Sequence, residues 1–182
     1  MVHAMTTQPD PTDQMEQLRR GLHVHEQPPR YVYVASSWRN QMQPAVVAVL
    51  RAAGLECYDF RDPDGTGAGG FSWRDVRDET RSDVPAKGDD LVPVDEYLRM
   101  VHHPVATDGF ARDFAAMERA DTFVLVLPCG RSAHLELGWA VGAGKRTAIL
   151  LEDPAEPELM YRMVGHLATS VHDLLGWLGV ED

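Results

Sequence analysis

The chain has 182 residues, 44% of them hydrophobic and 25% charged, a composition that suits one globular domain with a core and leaves little for a second. Its formal net charge of −11 argues against a nucleic acid polymer as partner, because phosphate contacts need a basic surface, but leaves room for one small anion held by local arginines. No apolar run approaches the ~20 residues of a membrane helix, the N-terminus lacks a signal-peptide core, and Cys57 and Cys129 are too few for a disulfide framework or a zinc site. No membrane partner and a cytoplasmic location are expected.

Residues 1–28, rich in Gln, Asp, Pro and Thr without periodicity, read as a disordered leader, and residues 29–182 as a single α/β domain. Tyr31 to Ala35 is β-branched and aromatic, hence a strand. Pro44 suits a first helical turn, and Val46, Val47, Val49 and Leu50 recur at helical spacing up to Gly54. Leu55 to Phe60 reads as a second strand, which completes a β-α-β unit with parallel strands. Residues 61–105 form a long insertion dense in Gly, Asp and Pro, with a short helix over Val94 to Val101. A helix capped by Asp108 runs to Ala120, and Thr122 to Leu127 is a wholly apolar strand of the kind covered on both faces. Ser132 is read as the cap of a helix ending near Gly144. Thr147 to Leu151 is a fourth strand, Leu167 to Thr169 a fifth, and a last helix, Val171 to Leu178, is capped by Ser170. Alternating strands and helices of these lengths predict a doubly wound parallel sheet of about five strands, flavodoxin- or Rossmann-like.

Ligands of such sheets bind beyond the carboxyl ends of the strands. That rule selects Ser36, Ser37, Trp38, Arg39 and Asn40 after the first strand, and Pro128 to Ser132 after the third. Backbone N–H groups beside a guanidinium make a monophosphate site, so Ser36, Ser37, Arg39, Gly130, Arg131 and Ser132 are candidate phosphate ligands. Trp38 or Trp73 would stack on a base. Within the helix after Ser132, Glu136 is the only residue with a formal charge at neutral pH, on a face shared with Ala140 and Ala143. A helix apolar on nearly all sides is a buried helix, and a buried carboxylate without a task is costly. Asp113 flanks the apolar stripe of Phe110, Phe114 and Met117, with Arg112 and Arg119 on the far side of that helix. Two carboxylates, one nucleophilic and one protonated, are what glycosidic cleavage through an oxocarbenium-like transition state requires.

Other motifs carry less. Gly65 to Gly70 matches G-x-G-x-x-G but is expected to lead into no helix that could receive a pyrophosphate. The pairs His23/His25 and His102/His103 lack a third ligand at metal spacing, and Cys129 lacks an evident base. No metal and no cofactor are implied.

Tyr33-Val34-Ala35-Ser36-Ser37-Trp38-Arg39, the Asp113 segment through Asp121 and the stretch Glu136 to Lys145 together resemble the nucleoside 2-deoxyribosyltransferase superfamily. The resemblance spans most of Tyr31 to Leu151, the insertion excepted. It implies that Glu136 is the nucleophile forming a covalent ribosyl-enzyme, that Asp113 assists at the leaving base, and that Tyr33 lies near Glu136. Arg39 resembles the 5′-phosphate arginine of the nucleotide N-glycosidases in that superfamily. The expected activity is therefore hydrolysis of a (deoxy)ribonucleoside 5′-monophosphate, a small-molecule nucleotide. Alternatives are a nucleoside deoxyribosyltransferase, a TIR-like NAD hydrolase, and a non-catalytic nucleotide-binding module. The superfamily also implies a homo-oligomer, a dimer or larger. Leu135, Trp139 and Gly142 form a second helix face that one sheet cannot cover.

Overall fold

A computed structural model describes residues 31–80 and 92–180. The leader expected over residues 1–28 lies outside the described residues. Strand β1 (Tyr31–Ala35) leads into α1 (Gln43–Ala52) and β2 (Glu56–Tyr58). The insertion contributes α2 (Trp73–Thr80) and α3 (Val94–Val101), followed by α4 (Pro104–Arg119). Next come β3 (Thr122–Val126), α5 (Arg131–Gly142) and β4 (Arg146–Leu150). A 3-10 turn (Leu159–Met163), β5 (His166–Ala168) and α6 (Val171–Leu178) complete the described chain. The five strands pair in parallel in the order β2-β1-β3-β4-β5. This is the expected doubly wound sheet, and its order places the topological switch point between β1 and β3.

Strand alternation sorts the side chains into two cores. Val32 and Val34 pack with Val46, Val47 and Leu50 of α1 and with Leu174 and Leu178 of α6. Tyr33 and Ala35 point the other way, into a core shared with Ala116 and Met117 of α4 and with Ala133, Leu137 and Ala140 of α5. Every residue of β3 is buried, which is why that strand reads as an unbroken apolar run. Each fully buried Val or Leu contributes ~1.5–3 kcal/mol, so both helix layers are firmly seated. The face bearing Tyr33 is the one on which the site is built.

Several boundaries differ from the sequence expectation, each for a local reason. β2 stops at Tyr58 because the Asp59 carboxylate turns the chain, accepting from Gln43 Nε2 at 2.9 Å and from the Arg61 N–H at 3.0 Å. α4 begins at Pro104 rather than near Asp108. Proline occupies its first turn, and His103 Nδ1 accepts from the Val105 N–H at 3.3 Å. α5 begins at Arg131 with Gly130 as its cap and no side-chain cap bond, so Ser132 is an exposed residue of the first turn and not the cap. α2 does follow the Gly65–Gly70 run, contrary to expectation. Within its first turns it buries Val76 against Met100 and Ala106, and so shallow an apolar stripe leaves no periodicity to read. Ser170 caps α6 as expected, accepting from the Asp173 N–H at 3.0 Å.

Besides the Val76–Ala106 packing, the insertion meets α4 closely at Gly109. A Cβ at Gly109 would lie 2.8 Å from the Phe71 ring, so the missing side chain forms the notch that receives Phe71. Gly109 stands one helical turn before Asp113 on the same helix.

Candidate active site

The parallel register lines up Tyr58, Tyr33 and Phe123 across β2, β1 and β3. Their rings stack, with centroids 5.1 Å apart for Tyr33–Tyr58 and 4.9 Å for Tyr33–Phe123. Two adjacent phenols of this row each hold one carboxyl group. The Tyr58 hydroxyl donates to Asp113 Oδ1 at 2.5 Å, and the Tyr33 hydroxyl hydrogen-bonds Glu136. Burial, with the neighbouring carboxylates next, raises the pKa of Tyr33 far above the ordinary phenol range. Burial and the Asp113 hydrogen bond do the same for Tyr58. Both phenols therefore stay protonated and act as fixed donors.

The carboxyls themselves are displaced from ordinary values. Burial first, and the Asp113 charge second, push Glu136 up to about 7, partly offset by the Tyr33 hydrogen bond. Burial also raises Asp113, while the Tyr58 hydrogen bond and the Arg112 charge pull it down. Arg112 thus faces the Asp113–Tyr58 pair, and not the far side of the helix as expected. Near neutral pH Glu136 is therefore poised to take up or release a proton.

The loops after β1 and β3 meet each other. The Ser36 hydroxyl donates to the Val126 carbonyl at 2.8 Å and accepts from Asn40 Nδ2 at 3.0 Å. Buried Asn40 also donates to the carbonyls of Val126 and Pro128, both at 3.1 Å, and its Oδ1 accepts from the N–H groups of Met42 and Gln43. Ser36 and Asn40 therefore tie the loop after β1 to the loop after β3, and the Ser36 proton is already engaged. Ser37 Oγ accepts from the Arg39 N–H at 3.2 Å. Trp38 is 49% exposed, and Arg39, Gly130, Arg131 and Ser132 are exposed at the mouths of the loops. Trp73 is exposed at the start of α2.

No family model matches the chain, and no curated protein matches it in sequence. Among solved structures, the chain is similar to the 2-deoxyribosyltransferase of Bacillus psychrosaccharolyticus, with a TM-score of 0.51 and 18% identity over 83% of this chain and 97% of that one. The fold is that of a nucleoside 2-deoxyribosyltransferase. A conserved protein from Enterococcus faecalis V583 has a TM-score of 0.48 at 12% identity, covering 82% of this chain and 97% of its own. The CMP N-glycosidase BcmB of Clostridium botulinum has a TM-score of 0.39 at 15% identity, covering 83% of this chain and all of its own.

Tyr58 and Arg61 escape the sequence reading, and Asn40, selected there by its strand-end position, proves to tie the two loops together. Tyr58 is foreshadowed only by register: it is the β2 residue level with Tyr33, a fact that needs the strand pairing. The thiol of Cys129 is pushed up to about 12 by burial and by the Glu136 charge, so it is not a thiolate near neutrality. Its neighbour His134 is no base for it. His134 Nδ1 lies 2.9 Å from the Gly130 carbonyl, which only accepts, so Nδ1 carries the proton and Nε2 accepts from the Tyr161 hydroxyl at 2.8 Å. Helix α5 is not buried all round, since Leu135 is 76% exposed. Trp139 does not share that outer face; it packs inward against Phe114 and Phe123. Among the described residues no group of three or more His, Cys, Asp or Glu is placed to hold a metal ion, and no helix is long and apolar enough to cross a membrane.

Proposed function

We propose that the protein is an N-glycosidase of nucleoside 5′-monophosphates, with Glu136 as nucleophile and Asp113 at the leaving base. The observation that carries this reading is the aromatic row of Tyr58 and Tyr33, whose hydroxyls each hydrogen-bond one of two part-buried carboxyls, Asp113 and Glu136. In the first step a Glu136 oxygen bonds to the anomeric carbon as the C1′–N bond breaks. The electron pair of that bond goes to the base nitrogen, which takes the proton held by the carboxyl pair. Water then cleaves the glycosyl ester, which restores the pair and releases a sugar phosphate.

Arg39 and Arg131, exposed at adjacent strand ends with Ser37, Gly130 and Ser132, would receive the phosphate, and Trp38 or Trp73 would stack on the base. Incubation with a panel of nucleoside monophosphates, the matching nucleosides and NAD, with released bases read by chromatography, tests the reading. Release from the monophosphates and little from the others is expected; transfer to an added free base, without hydrolysis, would make the protein a transferase. Arg39→Ala is expected to raise KM for the monophosphate about ten- to a hundredfold, as loss of a charge-assisted contact would. An equal effect on the nucleoside would remove phosphate from the argument.

We also infer a homo-oligomer, supported by exposed Leu135 on α5 and by the superfamily resemblance. Sedimentation of the wild type should give at least a dimer, and Leu135→Glu should shift it toward monomer. A wild-type monomer at micromolar concentration would end this inference.

A further inference from the structure

Arg61, within the Asp59–Asp62 turn that follows β2, reaches back to the loop after β1. Its Nη2 donates to the carbonyls of Ser37, Trp38 and Asn40 at 3.0, 2.9 and 2.7 Å. The guanidinium carbon lies 5.5 Å from the Trp38 ring centroid and 5.8 Å from that of Phe60. Trp38 stands edge-on to Phe60 with centroids 5.3 Å apart. Behind them, a Cβ on Gly70 would fall 1.8 Å from the Phe60 carbonyl oxygen and 3.4 Å from the Trp38 ring. The loop that carries Ser37, Trp38 and Arg39 is thus seated on the start of the insertion.

This seat has a directional consequence. In a planar trans peptide the C=O and the following N–H point in opposite directions. Drawing the carbonyls of Ser37 and Asn40 toward one guanidinium turns the N–H groups of Trp38 and Gln41 the other way. Three converging carbonyls concentrate negative partial charge on one side of the loop, and the opposite side is left rich in donors. An anion would be received on the donor side, and only while a cation holds the carbonyl side.

We propose that Arg61 is a positioning residue, which sets the Ser36–Asn40 loop in the conformation that receives the substrate phosphate. The proposal rests on the nucleotide reading above. Arg61 acts through the loop and touches no reacting atom, so its loss is felt in phosphate binding more than in bond cleavage.

Hydrogen exchange and kinetics on Arg61→Ala and Arg61→Lys decide it. In Arg61→Ala the amides of residues 37–41 should exchange at least about tenfold faster, with those of β1 and β3 unaffected. KM for a nucleoside monophosphate should rise roughly tenfold or more, with a much smaller change in kcat and in KM for the nucleoside. Arg61→Lys keeps a cation with three donors and should recover most of both effects. Unaltered exchange in the loop would overturn the proposal, as would exchange raised across the whole sheet, or a fall in kcat at constant KM. A wild type with no preference for the monophosphate would overturn the nucleotide reading instead; the loop exchange would still say whether Arg61 holds the loop.

Discussion

Glu136→Gln is expected to lower turnover by at least about a thousandfold while making the folded chain more stable at alkaline pH. The first effect follows from removing the proposed nucleophile. The second follows from what burial does to its charge. In the fold Glu136 titrates at about 7, against 4.5 when it is solvated. Between those values the folded chain keeps a proton that the unfolded chain has released. Stability therefore falls as pH rises from 4.5 to about 7 and levels off above. Glutamine has no charge to bury and still accepts from Tyr33. At pH 8 the variant should gain up to about 3 kcal/mol, a rise in melting temperature of roughly 2–4 °C for each kcal/mol, and the gap should close by about pH 4.5. Turnover like the wild type would remove Glu136 from the chemistry. A stability gap independent of pH would remove the buried charge.

Such a residue is legible in sequence because burial has a compositional signature. A run from Ser132 to Gly144 with a single formal charge points to Glu136 without any structure, and the strand pattern places Tyr33 and the loop after it. The fold follows from the same signals, as the period of two in Val32 to Ala35 and the apolar run of β3 fix which faces are covered. What the sequence withholds is pairing. Tyr58 acquires its role only because β2 lies beside β1 in a register that levels it with Tyr33. Arg61 sits in a stretch of Asp, Gly and Pro that has no periodicity, and its task depends on where the loop after β1 turns back. Asn40 is selected by its place after the first strand, but its task of tying two loops together shows only when the loop after β3 arrives beside it. Ser36 is the converse: its position at a strand end suggests a ligand, whereas its hydroxyl is committed to the neighbouring strand. Arg112 is misplaced by a helical projection because a side chain as long as arginine reaches around the helix to a charge it favours.

The dependence of kcat/KM on pH is expected to be bell-shaped, with its alkaline limb at about 7. One proton and two carboxyls set the profile. Glu136 and Asp113 repel each other, so the site loses its protons in two steps that belong to the pair. With both protons present no carboxylate is free to attack. With neither present a purine or pyrimidine must leave as an anion. Only the singly protonated pair has a nucleophile and a proton together, whichever oxygen holds that proton at rest. Removing the Tyr33 hydroxyl, which favours the Glu136 anion, should move the alkaline limb of Tyr33→Phe upward. Asp113→Asn is the sharper test. Asparagine keeps the bond to Tyr58 but carries no charge and no transferable proton, so Glu136 titrates alone and at lower pH. Its residual activity should rise with pH and then level off, the alkaline limb having vanished. Cleavage of NAD predicts the opposite for the wild type. Nicotinamide leaves as a neutral molecule and needs no proton, so activity would follow ionised Glu136 and increase through about 7. A wild-type profile that rises through neutrality and stays high would therefore displace the monophosphate reading in favour of an NAD hydrolase.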